Sequence, residues 1–112
     1  LEAYFLQAAG FSVAFAVDGH AALAQARELL PDVIVTEVLV PKLDGLALCR
    51  KLKEDTATRS ISVLIFSILA VGARANEAGA DAFLSKPLAE RRLVTTVQDL
   101  LEKRNNTPRN PR

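Results

Sequence analysis

The stretch PDVIVTEVLVPKLDG, Pro31 to Gly45, reads as the end of one element, a whole second element and the start of a third. Pro31 stops whatever helix precedes it, because a proline disfavours helical geometry in the residue before it. Val33, Ile34 and Val35 form a β-branched run with no polar alternation. Such a run is predicted to be a strand covered on both faces, as in a parallel sheet. It ends in a lone carboxylate, Glu37. Asp44 and Gly45 then give a turn signal, and Asp44 is a plausible N-cap for the next helix.

The same grammar holds on either side. FSVAFA (Phe11 to Ala16), ISVLIFS (Ile61 to Ser67) and DAFLSK (Asp81 to Lys86) are short, β-branched or aromatic, and apolar in the middle. Helical patterns lie between them. DGHAALAQARELLPD carries Ala22, Leu23, Ala26, Leu29 and Leu30 on one predicted face. DGLALCRKLKEDT places Leu46, Cys49 and Leu52 at helical spacing. ARANEAGAD is a short helix closed by Gly79. LAERRLVTTVQDLLEKR has a stripe of Leu93, Val94, Val97, Leu100 and Leu101. Glu90 in its first turn and Lys103 and Arg104 in its last suit the helix dipole. Strand-helix alternation of this kind predicts an α/β fold, a doubly wound parallel sheet with helices on both faces.

The opening segment LEAYFLQAAGF departs from the alternation. Leu1, Tyr4, Phe5 and Ala8 follow helical spacing, and Gly10 suits the end of a helix. A parallel sheet of this type ordinarily begins with a strand, so the first strand is expected to be missing from this stretch of chain. The domain is expected to cover residues 1–104. The polar, proline-broken residues 105–112 read as a linker or disordered tail.

Composition narrows the function. The chain of 112 residues suits one domain with a single core. A formal net charge of +1 gives no strong field for nucleic acid or an anionic membrane. Aromatics make up 5% of the residues, too few for a base-stacking surface. Cys49 is the sole cysteine and fits a reducing compartment. The apolar stretch ISVLIFSILAVGA is shorter than the ~20 residues a membrane helix needs. A soluble, cytoplasmic protein is expected. No glycine-rich phosphate loop follows a strand, which argues against a nucleotide-binding enzyme. The single histidine, His20, stands far from Ser67 in motif order, which argues against a hydrolase.

Parallel strands bring their C-terminal ends to one edge, where open α/β sheets bind ligands. Glu37, Ser67 and Lys86 end three of the predicted strands, so a carboxylate, a hydroxyl and an ammonium converge there. With these residues the chain resembles a response-regulator receiver domain, of the flavodoxin-like type. PDVIVTEVLVPKLDG resembles that family's third strand and loop, ISVLIFS its fourth strand and GADAFLSKP its fifth. AVDGHAAL and LCRKLKEDTATRS also fit. The family stores a signal as an aspartyl phosphate beside a Mg²⁺ ion held by that Asp and an acidic pair. The resemblance implies Glu37 at the phosphoacceptor position, Ser67 and Lys86 as phosphoryl-binding equivalents, Phe83 as the switch aromatic and Pro87 as the cis-proline candidate.

Four departures qualify that assignment. Glu37 is longer than aspartate by a methylene, which carries its carboxylate ~1.5 Å further. In-line transfer is sensitive to such displacement, and an error of about 1 Å costs on the order of a hundredfold. Glu37 could instead pair with Lys86 and accept a hydrogen bond from Ser67. The acidic pair is not in this stretch, which leaves one side chain for Mg²⁺. Ile68 follows Ser67 where the family has a small residue, and it would crowd a phosphodonor. The segment from Ser67 to Gly79 is short by about a helical turn. The expectation is therefore a pseudo-receiver in two-component signalling, with no catalytic residue, no metal and no cofactor. It would act by contact with a protein partner or an output domain. A histidine kinase and a second copy of the chain are further candidate partners. The alternative is a working phosphoacceptor receiver, using Mg²⁺, whose acidic pair lies upstream of Leu1. Cys49 and Phe83 read as core, and His20 as exposed.

Overall fold

In the computed structural model the described residues are 10, 16, 18–39, 42–67, 71–85 and 90–106. The expected opening helix and most of FSVAFA lie outside them. Helix α1 spans Gly19–Leu29, strand β1 Val33–Glu37, helix α2 Gly45–Glu54 and strand β2 Ser62–Ser67. Helix α3 spans Gly72–Glu77, strand β3 Ala82–Ser85 and helix α4 Glu90–Asn106. The described strands form one parallel sheet in the order β1-β2-β3. Val33 pairs with Ser62 and Glu37 with Phe66, while Leu64 pairs with Ala82 and Ser67 with Ser85. This is the predicted α/β parallel sheet.

The pleat sorts the core. Val63 and Ile65 join Leu23 and Ala26 of α1, Leu46, Leu48, Cys49 and Leu52 of α2, and Ala75 of α3. Leu64 and Phe66 point the other way and join Leu84 with Leu93, Val97 and Leu100 of α4. Successive strand residues face opposite sides, so helices cover both faces of the sheet. Every residue of β2 is buried, which is why its sequence lacks polar alternation. Each fully buried leucine contributes roughly 1.5–3 kcal/mol over leaving it exposed.

The helix boundaries follow the local chemistry. Asp18 Oδ1 accepts from the Ala21 N–H at 2.8 Å and Asp44 Oδ1 from the Ala47 N–H at 2.8 Å, which satisfies one orphan donor at each helix start. α1 ends at Leu30, whose φ of 46° is left-handed and whose N–H donates to the Ala26 carbonyl. Helical spacing puts Leu29 and Leu30 on the buried face, but they are 57% and 55% exposed. Leu30 has left the helix, so helical spacing no longer predicts its direction. Gly79 ends the α3 region at φ 94°, as its position in the sequence predicts. Among the described residues no helix is long and apolar enough to cross a membrane.

Polar contacts bolt the N-terminal edge of the sheet. Lys53 Nζ donates to Asp81 Oδ2 at 2.9 Å and to the carbonyls of Ile61 at 2.7 Å and Arg59 at 3.2 Å. Asp81 Oδ2 also accepts from the Val63 N–H at 2.7 Å. One ammonium thus ties α2 to the starts of β2 and β3. At the C-terminal ends of α1 and α2, Arg27 Nε donates to Asp55 Oδ2 at 3.2 Å. The Ala57 N–H, and then Arg27, hold the Asp55 carboxyl below its ordinary 3.8. Cys49 is inert core: burial pushes its thiol up to about 11, and Sγ donates to the Ala78 carbonyl at 3.4 Å.

Two glycines seat helices against backbone. A Cβ at Gly19 would overlap the Leu43 carbonyl oxygen, and one at Gly45 would overlap that of Glu37. A Cβ at Gly72 would meet only Phe83, with Cδ2 nearest at 3.6 Å, which is ordinary contact. Gly19→Ala and Gly45→Ala should each lose about 1–3 kcal/mol in urea unfolding, the range for overpacking. Gly72→Ala should be neutral or gain up to about 1 kcal/mol. Equal effects at all these positions would contradict the close approach. A second expectation concerns acid. A depressed folded pKa contributes stability that is present above the unfolded value and lost as pH falls through the folded one. Asp55→Asn should therefore flatten the stability profile below about pH 4 and leave its shape at neutral pH unchanged; an unaltered acid limb would contradict that.

Candidate functional site

Strand polarity brings the ends of β1, β2 and β3 to one edge. Glu37 is the last residue of β1 and is half-buried. Ser67 is the last residue of β2 and is 1% exposed. Glu37 pairs with Phe66 in the ladder, so Ser67 stands one residue beyond it on the adjacent strand. Parallel neighbours are about 4.8 Å apart, so the two residues stand on adjacent strands at the same end of the sheet. The two residues come from opposite pleat series. Glu37 continues the series of Val33 and Val35, and Ser67 that of Val63 and Ile65. Both hold polar or ring interactions in the fold.

Phe83 lies in β3, opposite Ile65 in the ladder, and packs against the cluster that includes Val63 and Ala75. Its ring also faces Gly72 of α3. Phe83 therefore joins the sheet to the short helix beside the site, as core packing predicts. Lys86, Pro87 and Ile68 lie outside the described residues. The expected Glu37-Lys86 pair rests on one of them and is not described. Among the described residues, no group of three or more His, Cys, Asp or Glu side chains is placed to hold a metal ion. His20 is exposed on α1.

The edge is built by a repeated device. Asp18-Gly19 and Asp44-Gly45 each combine a capping carboxylate with a glycine pressed on backbone. Gly45 also donates its N–H to the Val38 carbonyl at 3.0 Å, which closes the turn from β1 into α2. Lys42, in that turn, has φ 71° and brings its Nζ within 3.5 Å of Asp18 Oδ2. The Ala21 N–H, and then Lys42, hold the Asp18 carboxyl below its ordinary value against the opposing pull of desolvation. Sequence reading identifies the Asp-Gly turns but misses the contact between them. The repeated dipeptide is the available signal, although it does not say which backbone each glycine meets.

Comparison with known proteins agrees with this architecture. The family model described as response regulator receiver domain matches residues 2–98. The response regulator PleD of Caulobacter vibrioides is 42% identical over 98 residues, which cover 85% of this chain and 22% of PleD. The DNA-binding dual master transcriptional regulator RpaA of Synechocystis sp. is 34% identical over 106 residues, covering 92% of this chain and 44% of RpaA. The chain thus spans less than half of either relative. Among solved structures, the signal receiver domain of a signal transduction histidine kinase from Syntrophus aciditrophicus superposes with a TM-score of 0.86 at 32% identity, over 97% of this chain and 85% of that one. The receiver domain of NtrX from Brucella abortus gives 0.82 at 26% identity, over 90% and 87%. With this family match, these relatives and the parallel sheet that brings Glu37 and Ser67 to one edge, the chain belongs to the response regulator receiver domain family.

Proposed function

We propose that this receiver module is not phosphorylated in the usual way and transmits its signal through protein-protein contacts. The observation that carries the reading is Glu37 at the end of β1, in the acceptor position that the resemblance assigns. Its backbone carbonyl lies against Gly45, where a Cβ would overlap the oxygen. The strand end has no room to withdraw toward α2. The extra methylene of glutamate therefore carries the carboxylate forward by ~1.5 Å, toward the space a phosphoryl group would need. Ser67, at 1% exposed, offers little surface to an incoming donor. The contacts would be made with an output domain of the same polypeptide or with a separate partner. The lengths of PleD and RpaA, of which this chain spans 22% and 44%, support an output domain. A histidine kinase and a second copy of the chain are further candidate partners. The module itself is a signalling element and not an enzyme.

A second reading is favoured by the 42% identity to PleD. In it the domain accepts phosphate on Glu37 or another carboxylate with Mg²⁺, using an acidic pair encoded upstream of Leu1. Intact-mass spectrometry after incubation with acetyl phosphate and Mg²⁺ separates the two. The first reading predicts an unchanged mass for the protein that includes the residues encoded before Leu1. A phosphoryl adduct mapped to Glu37 or another carboxylate would establish the second.

A further inference from the structure

We propose that Asp18 and Lys42 form a latch that couples the β1–α2 turn, and with it the backbone of Glu37, to the N-terminus of α1. The inference rests on Glu37 as the functional position, and it assigns to that position a regulating pair. The carboxylate of Asp18 is divided between two tasks. Oδ1 caps α1 through the Ala21 N–H at 2.8 Å, and Oδ2 faces Lys42 Nζ at 3.5 Å. Lys42 holds a left-handed backbone, φ 71°, which a lysine rarely adopts without something to hold it there. The next residue, Leu43, lays its carbonyl against Gly19, the first residue of α1. Two residues further, Gly45 hydrogen-bonds Val38 and packs on the Glu37 carbonyl. The turn is thus pinned to α1 in its middle and to β1 at its ends.

The strength of the latch is set by exposure. The Lys42 side chain is 67% exposed and that of Asp18 12%, so water and salt weaken the attraction. A pair of this kind shifts a local opening equilibrium by about two- to fivefold. It is strong enough to bias the turn and weak enough to be released by a partner that competes for either charge. Leu39, 62% exposed in the same turn, gives such a partner an apolar foothold.

Amide hydrogen exchange followed by NMR on the full chain tests this, with the Gly45 N–H reporting the turn and the Ala21 N–H reporting the cap. Asp18→Asn keeps a capping oxygen and removes the charge; Lys42→Gln keeps most of the side-chain length and removes the charge. Each should speed Gly45 exchange about two- to fivefold and move the Glu37 and Val38 amide resonances. The Ala21 rate in Asp18→Asn should hold, and neither variant should lose more global stability in urea than that two- to fivefold factor represents. Salt at about 0.5 M should bring the wild-type Gly45 rate to that of Lys42→Gln. An unchanged Gly45 rate in Lys42→Gln, or a wild-type rate indifferent to salt, would overturn the latch. So would Ala21 accelerating as much as Gly45 in Asp18→Asn, since the cap alone would then explain the effect. These outcomes are independent of phosphorylation: an adduct on Glu37 removes the proposed function and leaves the exchange comparison intact.

Discussion

The lack of a side chain at Gly45 is the constraint on which the site depends. Its α-carbon lies so close to the end of β1 that a Cβ would overlap the Glu37 carbonyl oxygen. The close seat lets α2 begin directly beside the strand, with Asp44 capping it and the Gly45 N–H returning to Val38. Gly19 repeats the arrangement one layer out, against Leu43. Helix, turn and strand end are nested on bare backbone. The backbone at the end of β1 is thereby held close against the start of α2.

The two edges of the sheet are held by different means. At the N-terminal edge, Lys53 directs its ammonium at two carbonyls and at Asp81, which also accepts from Val63. Those partners lie at the starts of adjacent strands, and the group is mostly shielded, with the Lys53 side chain 21% exposed. At the C-terminal edge, Asp18 and Lys42 form a longer and more exposed pair. The Lys53 cluster is the more shielded of the two, and the Asp18-Lys42 pair the more open to water.

Much of this was legible in the sequence for a simple reason. Val33-Ile34-Val35 and the run from Val63 to Phe66 are apolar without alternation because both faces of those strands are covered. Parallel strands of one polarity then had to bring Glu37 and Ser67 to the same edge. The stripes of α2 and α4 were legible because helical spacing reports a buried face wherever the helix continues. It failed at Leu29 and Leu30, where the helix stops and Leu30 turns left-handed. Asp44 was legible as a cap because capping is local. The partners of Gly19, Lys42 and Lys53 were not, because each contact joins segments that only the tertiary fold brings together. Lys53 and Asp81 stand 28 positions apart in the chain.

The central claim is that the glutamate carboxylate occupies the space a phosphoryl group would need. A crystal structure of the full chain grown with Mg²⁺ and beryllofluoride tests it most directly. The Glu37 carboxylate should be ordered at the C-terminal edge of the sheet, with no fluoroberyllate joined to it. Density for a fluoroberyllate bonded to a Glu37 oxygen, with a coordinated Mg²⁺ beside it, would contradict the account.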